Sequence, residues 1–313
     1  MTTRRQHYVA QMYLRAWSTP TGKARQLWSL RRGSLAPFRT DTKNVAVERD
    51  FYRLTESLPD DIKWVRSVAF AKKGNAELQK LNEGWIDIFE IFWSLQKLRD
   101  QFPKSVELIA ELDRQLIERQ ENYYSEMENS AVENLAALQG GNVSFFSDDH
   151  QAVAFSFFLM AQYFRTKKMQ DNMQQQFESD ADVARFNRAW PILRDIFATN
   201  TAFSIFANRA TAPLQVVTAP AGLQFITSDQ PVINTYAAFI SETTPVKDAE
   251  IYFPVSPTHA VIISGHAAYK GINGKELDSF RVHYLNQAME QAAHDQIFAS
   301  TEEQLQIVGK TFK

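Results

Sequence analysis

Residues 211–233, "TAPLQVVTAPAGLQFITSDQPVI", decide the fold. Upstream of them apolar residues recur at helical spacing. Here they alternate with polar ones, and Pro, Gly, Ser and Asp punctuate the runs at short intervals. That pattern reads as short strands joined by tight turns, and "EIYFPVSPT" and "HAVIISG" continue it. Residues 280–293 then read as a helix, "QIFAS" as a strand and residues 301–308 as a last helix.

Working back from this stretch, residues from about 60 to 208 are helical in period. "EGWIDIFEIFWSLQKLRD" gathers Trp85, Ile88, Phe89, Phe92, Trp93 and Leu95 on one broad face. A run of more than thirty residues without Pro or Gly ends at "QGGN", residues 139–142. Residues 147–177 read as one long helix, apolar nearly all round in its middle and therefore central. A further helix begins near Asp180, with a break or kink expected at Trp190-Pro191. At the start of the chain, "QHYVAQMYLRAW" puts Val9, Met12, Tyr13, Ala16 and Trp17 on one helical face, and residues 23–40 read as a β-hairpin.

The order helix, hairpin, helices, strands, helix predicts an α+β fold, mainly helical, with an antiparallel sheet of C-terminal strands joined by the N-terminal hairpin. Neither end is large enough to fold alone. A single domain over residues 1–313 is expected, made of the N-terminal helix and hairpin (1–55), a helical region (60–208) and a strand-rich region (211–313).

The composition narrows the function. With 44% hydrophobic and 22% charged residues the chain is of globular type. It contains no cysteine, which excludes disulfides, thiolate zinc sites and cysteine nucleophiles. No signal peptide is read, and the apolar runs are too short to cross a bilayer, so a soluble cytoplasmic protein without a membrane partner is expected. The net charge of −2 hides an asymmetry: residues 1–50 hold ten Lys and Arg against three Asp and Glu. Such an excess suits a phosphate-bearing partner, and it equally offsets the acidic helices that follow.

No glycine-rich phosphate loop, nucleophile elbow or zinc-helix motif is present, and no two histidines stand four apart. Four weaker stretches remain. His7 and Tyr8 open the first helix, where the dipole would keep the imidazole neutral and available as a base; they also suit a helix anchor. Glu48 and Asp50 alternate around Arg49, so on an extended segment both carboxylates share one side, fit for Mg²⁺ or for acid–base work; a solvated charge run has the same pattern. Asp229 ends an apolar strand, a place for function or for an Asx-turn. Gln162 and Arg165 share a face of the most apolar helix, where the arginine needs a carboxylate or a phosphate.

Taken together these stretches resemble the bacterial domain-of-unknown-function 4238 family. Its pattern appears as "QHYVAQMYLRAW", "KNVAVERDFY", "QYFRTK" and "TSDQPV", in order, over roughly residues 5–300. Ala10 stands where the family usually has Pro, and Trp17 where it usually has Phe. The resemblance brings no established activity. It implies one constellation made of His7, Tyr8, Lys43, Asn44, Glu48, Asp50, Tyr52, Gln162, Arg165 and Asp229.

The expectation that follows is a metal-dependent phosphodiester hydrolase of nuclease type, in phage defence or stress response. His7, Glu48 and Asp229 would be catalytic. Glu48, Asp50 and Asp229 would hold Mg²⁺ or Mn²⁺. Tyr8, Lys43, Asn44, Tyr52, Gln162 and Arg165 would bind the substrate, a nucleic acid or another phosphate-bearing ligand. The alternative is a protein that binds such a ligand or a partner without turnover. A third reading makes the same residues internal pairs, Glu48 with Arg165 and His7 with Asp229.

Overall fold

The computed structural model describes residues 5–49, 51, 58–71, 75–102, 105–240, 246, 248–309 and 312. The N-terminal part holds β1 (Arg5–His7), α1 (Gln11–Leu14), β2 (Thr19–Thr21), β3 (Ala24–Arg31), β4 (Phe38–Asp41) and β5 (Val47–Arg49). The helices follow: α2 (Pro59–Ala69), α3 (Ala76–Gln101), α4 (Val106–Gln139), α5 (Asp149–Phe164), α6 (Lys167–Gln174) and α7 (Asp180–Ala207). Then come β6 (Leu214–Thr218), β7 (Thr227–Ser228), β8 (Ile233–Asn234), β9 (Ile251–Pro254), β10 (His259–Ile263), α8 (Ser279–Ala292), β11 (Gln296–Ala299) and α9 (Glu302–Val308). The fold is α+β, with antiparallel sheets.

The hairpin of β3 and β4 forms as its sequence predicts, and β3 also pairs with β11, Trp28 opposite Ala299. The N-terminal hairpin thus shares a sheet with a C-terminal strand, and β7 extends it beyond β11. A second sheet runs β6-β10-β9-β8, and β1 pairs with β5 in a two-stranded ribbon. Each strand of the second sheet carries buried apolar residues, so this sheet lies inside the molecule.

One buried cluster joins the N-terminal segment to everything else. Val9, Tyr13, Leu14 and Trp17 pack with Met127 and Leu135 of α4, Phe155 and Phe158 of α5, and Phe253 of β9. Tyr13 OH donates to Pro254 O at 2.8 Å and lies 2.6 Å from Thr227 Oγ1, while Trp17 Nε1 donates to Phe225 O. A second cluster seats α8 on the sheets. A third binds α2 and α3 to α7, where Arg188 grips the buried Asp61 through two hydrogen bonds of 2.7 and 2.9 Å.

Three local expectations change. Residues 5–7 form a strand, because their backbone pairs with residues 47–49 rather than with their own next turn; the helix proper starts at Gln11. The long helix expected over 147–177 is two helices, since Thr166 caps the second by accepting from Met169 N. Of the break or kink expected at Trp190-Pro191, the break does not occur: helix α7 runs through Pro191 as one element, because the residues flanking the proline are buried with α2 and α3 and tertiary packing outweighs one lost hydrogen bond.

Candidate functional site

The break between α5 and α6 faces two ways. On one side, Gln230 Nε2 donates to Tyr163 O at 3.1 Å, and its Oε1 takes the Thr166 hydroxyl. This ties the break to the strand end "TSDQPV". On the other side lie Gln162 and Arg165. Arg165 is 1% exposed, and its Nη2 donates to Glu128 Oε1 at 2.7 Å and to Gln162 Oε1 at 2.8 Å. Gln162 Oε1 also accepts the Ala10 N–H at 3.3 Å. That N–H opens α1, where no side chain of the first turn caps it. A proline at position 10 would have no N–H to give.

His7, at the end of β1, stands in the field of the same groups. Burial holds its imidazole below the ordinary value, with Arg165 and Arg5 adding to the effect and Glu128 and the Val45 backbone opposing it. The imidazole is therefore neutral at pH 7 and able to take a proton. The cause is burial, not the helix dipole, because His7 lies in a strand.

Around this centre the surface is basic. Arg5 Nη2 donates to Asn44 Oδ1 and to Lys43 O, both at 3.3 Å. Lys43 is exposed and sits 3.3 Å from Asp41. Arg5 and Arg49 stand directly opposite each other on β1 and β5, and Glu48, exposed, stands opposite Gln6. Tyr8 is buried, with its ring 5.2 Å from Phe51 and its N–H on Ala46 O at 3.1 Å. Ala46 has φ +47°, a left-handed backbone that a side chain resists. That turn is where the "KNVAVE" stretch presents its carbonyl to Tyr8.

Asp229 is engaged elsewhere. Its Oδ1 accepts from His294 N at 2.8 Å, and its Oδ2 from Asp295 N at 2.8 Å and Gln296 N at 2.9 Å. Burial pushes its pKa up to about 6 against the pull of these N–H groups. It supports the turn between α8 and β11, a longer-range version of the Asx-turn alternative. Asp50 and Tyr52 lie outside the described residues. Among the described residues no three His, Asp or Glu gather closely enough to hold a metal ion.

The structure thus brings Gln162 and Arg165 into contact and sets His7 in the field of Arg165 and Glu128, with Lys43 and Asn44 on the rim around Arg5. Sequence reasoning missed Glu128, the carboxylate that Arg165 needed. It lies in "SEMENS" among solvated charges, where nothing local sets it apart.

A second buried charge adjoins the first. The Tyr124 ring has Arg165 at 5.3 Å and Arg194 at 5.5 Å, and its hydroxyl donates to Asp195 Oδ1 at 3.3 Å. Burial raises the Asp195 pKa to about 6, against the pull of Arg194, Tyr124 and Arg165. The folded chain therefore holds this proton more tightly than the unfolded chain does. The resulting stability is present below about pH 4 and is lost as pH rises through about 6, on the order of 3 kcal/mol. Asp195→Asn should remove this dependence. The melting temperature of the variant minus that of the parent should rise by about 5 °C between pH 4 and pH 7. A difference that stays flat over that range would refute the assignment.

These features define the protein as an α+β chain whose helix break, N-terminal strand and longest helix build one arginine–glutamate–histidine cluster beneath a basic rim. The chain belongs to the DUF4238 family, described as protein of unknown function, which matches residues 5–303. Neither a curated protein nor a solved structure matches it. Among the described residues no helix is long and apolar enough to cross a membrane.

Proposed function

We propose that the chain is a phosphodiester hydrolase of nuclease type, with His7 as the general base. The observation that carries this reading is the convergence of His7, Glu128 and Arg165 behind the exposed cations Arg5 and Lys43. His7 would take the proton of the attacking water while Arg5 and Lys43 hold the phosphodiester oxygens. Arg165 is too deeply buried to touch the substrate. It acts at one remove, fixing Glu128 and adding positive potential. For a divalent ion, Mg²⁺ or Mn²⁺, Glu48 of β5 shares a strand face with Gln6, opposite the face of Arg5 and His7, so it would hold the ion away from them. Asp229 is left out, because its oxygens already receive three N–H groups. Nucleic acid is the substrate class, in line with a defence or stress role.

The test is cleavage of labelled single- and double-stranded DNA and RNA with Mg²⁺, Mn²⁺ or a chelator. The parent should cut at least one, and His7→Ala should lose about a hundredfold or more in rate, with its melting temperature kept. A parent that cuts none of them, or a His7→Ala variant that cuts as well, overturns the proposal.

A binding role without turnover is the alternative. The exposed cations Arg5 and Lys43 would attract a phosphate-bearing ligand whether or not it is cleaved. Salt-sensitive binding of oligonucleotides with no cleavage would select this second reading.

A further inference from the structure

Between α3, α4 and α7 lies a cavity of about 190 Å³, distinct from the cluster around His7. Its walls are Trp85, Phe92, Tyr123, Pro191 and Ile192; two charged residues of α7 also line it, the cation Arg194 and the acceptor Asp195. Ile88 and Ile91, 40% and 49% exposed, form its rim.

Two features of this cavity point to a ligand. The first is its size and lining. A dry apolar cavity of about 150 Å³ takes benzene, so this one has room for two fused rings, and aromatic walls offer edge and face contacts to them. Trp85 is fixed in the wall, since its own N–H is used on Thr199 Oγ1 at 2.8 Å. The second feature is Asp195. It is 7% exposed, and among the described residues its carboxyl receives one hydrogen bond, the 3.3 Å one from Tyr124. A carboxylate has room for about four. A buried acceptor with capacity left over, beside an apolar cavity, is complementary to a single N–H donor on an otherwise apolar molecule.

We infer that this cavity binds a small planar bicyclic aromatic molecule with one ring N–H, which donates to the Asp195 carboxyl. A neighbouring cleft of about 320 Å³ shares Trp85 and Tyr123 and adds Phe157, Phe203 and Phe206. No charged group lines it; its polar side chains are Thr199, whose hydroxyl already accepts the Trp85 N–H, and Tyr123, which both cavities share. The inference is independent of the proposed hydrolase activity.

The probe is indole, compared with indene, which has the same shape without the N–H. Titration of the full chain, followed by ligand-observed NMR, should show one saturable site for indole and about tenfold weaker binding of indene. Ile88→Trp fills the cavity from its exposed rim, so the fold is kept, which circular dichroism would check. Indole binding should then be lost, while Phe203→Ala in the neighbouring cleft should leave it unchanged. No saturable binding of indole to the parent overturns the inference. So does equal binding of indole and indene, or binding that survives Ile88→Trp.

Discussion

Replacing Asp229 with alanine should lower the stability of the protein by about 3 kcal/mol, because three partly buried backbone N–H groups lose their acceptor at once and each costs about 1 kcal/mol, the low end of the range for orphaned groups. The turn it supports is clamped from both sides. Asp229 takes the N–H groups of residues 294–296, while Arg32 Nη2 donates to Ala293 O at 2.8 Å and Arg32 Nε to His294 O at 3.0 Å. Losing one jaw frees the chain between α8 and β11, and β11 is the strand that joins β3 to β7. Asp229→Asn keeps one carbonyl oxygen and should lose less than half as much. Urea unfolding followed by circular dichroism reads both. A loss below about 1 kcal/mol for the alanine variant would show that water can replace the carboxylate there.

Arg165→Ala should cost about 3–5 kcal/mol, the usual penalty for removing one partner of a buried ion pair. Glu128 keeps some access to water, with 23% of its side chain exposed, which places the effect at the lower end of that range. The distinctive expectation concerns the pair. Removing both charges, as Arg165→Met with Glu128→Leu, should recover much of the loss, since two apolar side chains of similar volume leave no stranded charge. If the double variant is as unstable as Arg165→Ala, then Arg165 stabilises through Gln162 and the start of α1 rather than through Glu128.

Much of this architecture was legible because it is local. The two-residue period after residue 211, the glycine pair ending α4 and the hairpin of β3 and β4 each follow from neighbours in sequence. The strand at Arg5–His7 was not legible, since its partner lies some forty residues on and the apolar spacing from Val9 to Trp17 invites extension of the helix backwards. The break at Arg165-Thr166 left a signal that could have been used: a threonine three residues before Met169 is a helix N-cap pattern. Arg165 was recognised as needing a partner, but its partner, Glu128, sits in another helix. Asp229 looked functional from sequence because it ends an apolar strand, where a rigid element holds what the following loop presents. The structure gives it a long-range backbone role that only the folded chain reveals.

The pairing of β3 with β11 has a consequence for how the chain is made. A ribosome adds about 5–20 residues per second, so the β3–β4 hairpin must wait on the order of tens of seconds before β11 is synthesised. Until then β3 has an unfilled edge, the kind of surface that recruits strands of other chains. Contacts so distant in sequence also close slowly once both ends exist. Nascent chains halted before residue 296 would carry that open edge, and they are the species most exposed to aggregation and most dependent on chaperones.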